Sequence, residues 1–229
     1  MEVNADFSQR VLVHSAEEPW VPSPMAGVDR RMLDRVGGEV ARATTIVRYA
    51  PQSYFSAHTH GGGEEFVVLD GVFSDEHGHF PAGSYVRNPR GSRHTPYSDD
   101  GCTILVKLWQ FDPADQTHVR LSPDLIRYAA VADRSGVAAV PLHSFGDEVV
   151  RLESWDALTP VRIENPAGLE LLVLDGTLSE GGDLLDAESW LRLPPGRDFD
   201  AIAGCAGCTV WIKTGHLTAI DAQIAGMAL

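Results

Sequence analysis

The feature that most constrains this chain is an internal repeat. Val68-Leu69-Asp70-Gly71 recurs as Val173-Leu174-Asp175-Gly176, and at the same spacing Ser84, Arg87, Pro89 and Gly91 match Ser189, Arg192, Pro194 and Gly196. Further on, Gly101-Cys102-Thr103 recurs as Gly207-Cys208-Thr209, and Lys107 as Lys213. Upstream, Gly27-Val28 and Glu39-Val40 match Gly136-Val137 and Glu148-Val149. A chain of 229 residues that repeats itself over nearly its whole length is expected to fold as two copies of one unit. Each copy is long enough to bury a core of its own. The polar, proline-interrupted stretch Phe111-Asp112-Pro113-Ala114-Asp115 marks the expected boundary, which gives domains 1–112 and 113–229.

Each copy reads as all-β. The run from Ala41 to Tyr49 is rich in β-branched residues, and Cys102 to Trp109 is a second strong strand candidate. Glu65 to Leu69 reads as a strand that ends at the turn signal Asp70-Gly71. The 22 glycines and 14 prolines divide these runs at short intervals, as in a β-sandwich or barrel. Only Pro123 to Asp133 and the C-terminal tail invite a helical reading.

The chemistry concentrates in one short stretch. His58-Thr59-His60-Gly61-Gly62-Gly63-Glu64 places three metal-ligand side chains within seven residues. Alternate residues of a strand share a face, so His58 and His60 can point to one interior spot. The glycines allow a sharp reversal, after which Glu64 faces inward with Phe66 and Val68 while Glu65 faces outward. His94, in Pro89-Arg90-Gly91-Ser92-Arg93-His94, can bring a fourth donor after another tight turn. Three imidazoles and a carboxylate suit one divalent transition metal (Zn, Fe, Mn, Ni or Cu) better than Ca or Mg. Trp109, Phe66, Phe55 and Tyr97 are candidates for an apolar wall around it.

These residues carry a resemblance to the cupin superfamily. The pattern H-x-H-x3-E-x6-G is met by His58, His60, Glu64 and Gly71, and the pattern G-x5-P-x-G-x2-H-x3-N by Gly83, Pro89, Gly91 and His94, with Ser98 in the last position. Gln52 stands where the first pattern has its leading glycine; neither departure touches a ligand. The chain resembles a bicupin, and the text around the motifs is similar to ChrR-type cupin domains. The resemblance implies two tandem jelly-roll β-barrels and a metal held by His58, His60, Glu64 and His94 in the first. At the matching positions the second copy has Ile163, Asn165, Leu169 and Phe199, so it is expected to hold no metal and to serve as a packing partner, a dimerisation surface or an apolar pocket.

The resemblance leaves two functional classes open. ChrR-type proteins are anti-sigma factors whose cupin domain tunes an oxidative-stress response, which implies sensing of a small molecule or reactive oxygen species. The H-x3-C-x2-C zinc motif of their helical domain is absent from this sequence. Many cupins with three His and one Glu are instead Fe(II)-dependent dioxygenases, which implies an enzyme acting on a diketone- or hydroxyacetophenone-like substrate. In either case the expected partner is a small-molecule ligand or substrate; a protein partner and a homodimer stay open. The net charge of −14 argues against nucleic acid, whose phosphates need clustered Lys and Arg. No apolar run is long enough to span a bilayer, no secretory signal is seen, and three cysteines fit a reducing cytoplasm. Cys205-Ala206-Gly207-Cys208 is read as packing and not as a redox pair, because Cys208 matches Cys102 of the repeat. Glu76, His77 and His79 are read as a solvated hairpin, and His14, His118, His143 and His216 as scattered.

Overall fold

The structure is a computed structural model that describes residues 1–38 and 40–227; Glu39, one member of the repeat, lies outside the described residues. The chain forms two compact units, and both are built of antiparallel β-sheet. Unit 1 comprises Met1–Ala5, Pro19–Ile126 and Ala219–Leu229; unit 2 comprises Asp6–Glu18 and Arg127–Thr218. The boundary expected after Asp112 therefore falls inside unit 1. Val119–Leu121 pairs with Tyr85–Asn88 in unit 1, and Val11–His14 pairs with Ser189–Leu193 in unit 2. A change in composition marks where polarity rises, whereas membership of a unit follows from which sheet edge accepts a strand.

In unit 1 the main sheet runs through the strands Val28–Gly37, Ala41–Tyr49, Cys102–Leu108, Glu64–Asp75 and Tyr85–Asn88. Directly opposed residues share a face. One row is Arg30, Val47, Ile104 and Val68, and another is Arg35, Ala43, Leu108 and Glu64. These rows belong to the interior face, where Val28, Val47, Phe66, Val68, Phe73, Phe80, Val86, Ile104 and Val106 form the core. On the opposite face a polar row crosses five strands: Asp34, Thr44, Lys107, Glu65 and Arg87, all buried.

Unit 2 repeats this plan with a different interior. Lys213, Glu170 and Arg192 are paired across three strands as Lys107, Glu65 and Arg87 are in unit 1. Its hydrophobic core includes Leu169, Leu171, Val173, Leu178, Leu191, Phe199, Val210 and Ile212, with Ile163 packed against it, while Asn165 is buried at the position that matches His60. Ile163 pairs with Phe199, as His58 pairs with His94 in unit 1.

Two local expectations change. Asp70-Gly71 is not a turn: the strand continues to Asp75, and the ladder shifts register at a bulge opposite Thr103 and Ile104. The unpaired residue is Leu69; just beyond it Gly71, opposite Cys102, has φ 71°, and a Cβ there would lie 2.2 Å from the Gly101 carbonyl oxygen, so only glycine fits beside the bulge. The turn lies further on, where Asp75 pairs with Gly78. The helix expected over Pro123 to Asp133 is a single 3-10 turn, Pro123–Leu125, followed by the short strand Ala129–Ala130. Pro123 starts such a turn well, but Ile126 is already extended and ends it. The C-terminal tail is helical over Ile220–Gly226.

The bulge yields a prediction. Gly71→Ala should lower unfolding free energy by ~1–3 kcal/mol, the usual cost of a disfavoured backbone conformation, and Gly176→Ala should do the same in unit 2, where φ is 76°. Urea titration followed by circular dichroism checks both; an unchanged midpoint would contradict the assignment.

Candidate metal centre

The candidate ligands come from three short segments. His58 and His94 face each other across a two-stranded ribbon, His58–Thr59 against Arg93–His94. His60 follows at the turn, where its backbone N–H donates to Ser92 O at 2.9 Å and its carbonyl accepts from Gly91 N at 2.8 Å. The three imidazole donors lie within 4.8 Å of one another, and their ring centroids are 4.7–4.9 Å apart. Glu64, first residue of the next strand, places Oε2 3.4 Å from His60 Nε2 and 3.6 Å from His94 Nε2. The structure thus gathers all four sequence-predicted residues, with the three histidines as the tightest group.

The hydrogen bonds orient the rings for a cation. His94 Nδ1 lies 3.1 Å from Asp75 Oδ2. Burial pushes the Asp75 carboxyl up, but its bonds from His94 and from the His77 backbone N–H outweigh this and hold it below the usual range. An ionised carboxylate can only accept, so His94 Nδ1 carries the proton and Nε2 presents its lone pair to the centre. His58 Nδ1 meets the Ser56 carbonyl at 3.2 Å, which sets the same tautomer. His60 Nε2 and His94 Nε2 are buried and have no hydrogen-bond partner among the described residues. Two buried lone pairs beside a carboxylate would be costly unless a proton or a metal ion sits between them. Three imidazoles and a carboxylate are a donor set for a d-block ion, so the residues present fit one transition metal.

Two members of this arrangement were not legible in the motif. Asp75 follows Glu64 along the same strand, and Asn88 Nδ2 donates to Glu64 Oε2 at 3.2 Å from the neighbouring one. Their chemistry is common in turns and strands, and only the register aims them at the ligands. Glu76 adds a further brace: its carboxylate accepts the Thr95 N–H at 2.7 Å, next to His94. The stretch from Glu76 to His79 is therefore partly tied to the site, with His79 Nδ1 3.0 Å from Ser74 Oγ.

The ligands open onto a cavity of about 360 Å3. Its apolar wall includes Val47, Tyr49, Phe55, Val106, Leu108 and Trp109. Trp109 holds a left-handed backbone with φ 60° and packs its indole so closely on Gly62 that a Cβ there would lie 2.2 Å from the ring. Of the four aromatics expected to line the wall, Trp109 and Phe55 do so. Phe66 packs in the core instead, and Tyr97 stacks on Tyr54 at 5.9 Å.

The remaining histidine and cysteine signals resolve elsewhere. His216 Nε2 lies 2.9 Å from Glu170 Oε1 and both are buried, so this histidine has a structural partner that scattered spacing did not reveal. His14 meets Ser189 Oγ at 3.0 Å. Cys205 is exposed while Cys208 is buried, and burial pushes the Cys208 thiol up to about 12, away from the reactive thiolate. Among the described residues no helix is long and apolar enough to cross a membrane.

The fold is that of cupin-type solved structures, among them a cupin 2 conserved barrel domain protein from Leptotrichia buccalis. The family model for the ChrR cupin-like domain matches residues 8–112. No curated protein sequence matches. Among solved structures, a Nostoc punctiforme protein provisionally named a dioxygenase aligns at 15% identity and TM-score 0.74, over 92% of this chain and 84% of its own. A pirin from Escherichia coli in complex with nickel(II) aligns at 13% identity and TM-score 0.67, over 90% of this chain and 99% of its own. A mutant of salicylate 1,2-dioxygenase from Pseudoaminobacter salicylatoxidans aligns at 11% identity and TM-score 0.58, over 79% and 72%. At such identities the likeness shows the fold: tandem jelly-roll barrels.

Metal affinity at this centre should depend on Asp75. Asp75→Asn keeps the shape and removes the charge, and should weaken metal binding by roughly 10–100-fold, as loss of a carboxylate behind a ligating histidine does. Competition against a chromophoric chelator reads this directly. For His94, burial pulls the pKa down, but the Asp75 hydrogen bond and the Glu64 charge outweigh it and the net direction is up. A proton thus competes with metal at His94 Nε2 to higher pH than usual, so affinity should fall as pH drops, by roughly tenfold per unit for one competing proton. A flat affinity between pH 8 and pH 5 would contradict this.

Proposed function

We infer that this protein holds one divalent transition metal on His58, His60, Glu64 and His94 and presents it to a small organic molecule, most consistent with an Fe(II)-dependent dioxygenase. The observation that carries the reading is the placement of His58, His60 and Glu64 at the wall of a cavity of about 360 Å3, with His94 beside Glu64 behind it. A metal whose task was only to brace the barrel would not need a chamber of substrate size beside it. With four protein donors, two positions of an octahedral ion stay open for exogenous ligands. An iron ion bound there would supply Lewis acidity and redox capacity toward dioxygen.

The chain's own residues contribute binding and shielding. Phe55, Tyr49, Val47, Leu108 and Trp109 exclude bulk water from the inner end of the cavity. Asp75 and Asn88 hold His94 and Glu64 in place so that little reorganisation is needed on binding. Tyr49 is half-buried, and desolvation first, with the Glu64 charge second, raises its phenol far above the ordinary value. It stays a neutral hydroxyl that can donate a hydrogen bond into the cavity or to the carboxylate.

A second reading has its own support. The match of residues 8–112 to the ChrR cupin-like model favours a regulator that senses a small molecule or reactive oxygen species through the same metal. Metal identity and turnover separate the two. Iron at one equivalent, with oxygen consumed on a panel of small diketones, hydroxyacetophenones and keto acids, supports the enzyme. Tightly held zinc, no oxygen uptake and ligand-dependent association with a sigma factor support the regulator.

The ligand assignment has a separate test. His58→Ala and His94→Ala should each reduce metal content below about one tenth of the parent, measured by elemental analysis on untagged protein; a factor of ten corresponds to ~1.4 kcal/mol. His58 is exposed, so its variant should keep the parent's thermal stability. His94 is buried against Asp75, so its variant should be somewhat less stable but still folded. Full metal occupancy in both would end the assignment.

A further inference from the structure

The proposed function leaves the chemical class of the cavity's occupant open. The strand Val28–Gly37 carries three arginines with different fates. Arg31 stacks on Trp20, with its guanidinium carbon 4.2 Å from the ring centroid. Arg35 donates to the Gly38 carbonyl. Arg30 makes no side-chain hydrogen bond or ion pair among the described residues, and its Nε is buried without a partner. The sheet register sets Arg30 in the interior row with Val47, Ile104 and Val68, the face to which Glu64 and Phe66 also belong.

The position of this cation is specific. Arg30 lines the cavity that contains His58, His60 and Glu64. It also lines an outer vestibule of about 710 Å3, together with Met1, Met25, Met32 and Arg35. Arg30 and Arg35 thus line both cavities. A partly buried guanidinium without a protein anion is an expensive group to keep for packing alone. Its planar fork matches a carboxylate better than any neutral oxygen ligand. The chain's net charge of −14 makes an unpaired interior arginine more telling, since carboxylates to neutralise it are plentiful elsewhere.

We propose that Arg30 is a specificity residue that takes the carboxylate of an anionic ligand in the cavity, so that the occupant is a small carboxylic acid with its other end toward the metal centre. This rests on the reading that a small molecule occupies the cavity. The apolar wall between the arginines and the histidines suits a short hydrocarbon or aromatic body between two polar ends.

The test is calorimetric binding of charged and neutral probe pairs: benzoate against benzamide, and acetoacetate against acetylacetone. Each is titrated into chelator-stripped protein and into zinc-loaded protein, in which no turnover confuses the reading. The parent should bind the carboxylate of each pair at least tenfold more tightly than its neutral partner. Arg30→Gln should abolish that preference, and Arg30→Lys should retain a part of it, because charge survives but the fork does not. Arg197→Gln, which removes an exposed positive charge in unit 2, should leave it intact and so controls for net charge. Circular dichroism on each variant excludes unfolding, and Arg30→Lys keeps the test readable if the glutamine variant fails to fold. Equal binding of acid and amide by the parent, no binding of either acid, or undiminished preference in Arg30→Gln overturns the proposal. The stripped-protein arm involves Arg30 without metal, so failure of the metal assignment, read by elemental analysis, is separable from failure at Arg30.

Discussion

The polar row that crosses the outer face of the unit 1 sheet holds the rest of the structure in register. Lys107, Glu65 and Arg87 stand opposite one another on three adjacent strands, each about 1% exposed. Glu65 accepts from Tyr85 Oη at 2.8 Å and pairs with Arg87 at 3.1 Å, while Arg87 also meets Asp115 at 2.7 Å. Removing one partner of such a buried pair costs ~3–5 kcal/mol, because the other charge is left without compensation. A one-residue slip of the Glu64–Asp75 strand would do this to the whole row and turn every side chain to the wrong face. The row therefore contributes more to uniqueness than to net stability.

Fixing Glu65 outward fixes Glu64 inward, and the site follows. Glu64 then faces the ribbon that carries His58 and His94, and Asp75, further along the same strand, reaches His94 from behind. One strand thus supplies a candidate ligand, a carboxylate that sets a histidine tautomer, and the core residues Phe66, Val68 and Phe73 between them. Unit 2 separates scaffold from chemistry. It keeps Lys213, Glu170 and Arg192 in the same pairing, yet its interior ring is Ile163, Leu169 and Phe199. The same backbone closes around hydrocarbon in one unit and around imidazoles in the other.

Much of this was legible in the chain. The repeat announced two units, the glycine and proline spacing announced short strands, and the motif residues His58, His60, Glu64 and His94 converge as their spacing implied. The misreadings share a cause. Asp70-Gly71 has the chemistry of a turn, but a bulge uses the same left-handed glycine, and only the partner strands distinguish them. Phe66 and Tyr97 were plausible cavity residues by composition, whereas the direction of each side chain depends on strand twist and pairing.

By itself, the sequence determined the residue types that must be buried, the positions where only glycine fits, and a donor set suited to a transition metal. These are local properties, set by side-chain chemistry and backbone sterics within a few residues. The tertiary structure alone decided which strands complete which unit, that Asp75 and Asn88 brace the ligands, and that Arg30 lines the metal cavity while Arg31 lies against Trp20. Those facts depend on hydrogen-bond register between segments far apart in the chain, and register is a property of the whole sheet rather than of any one stretch of it.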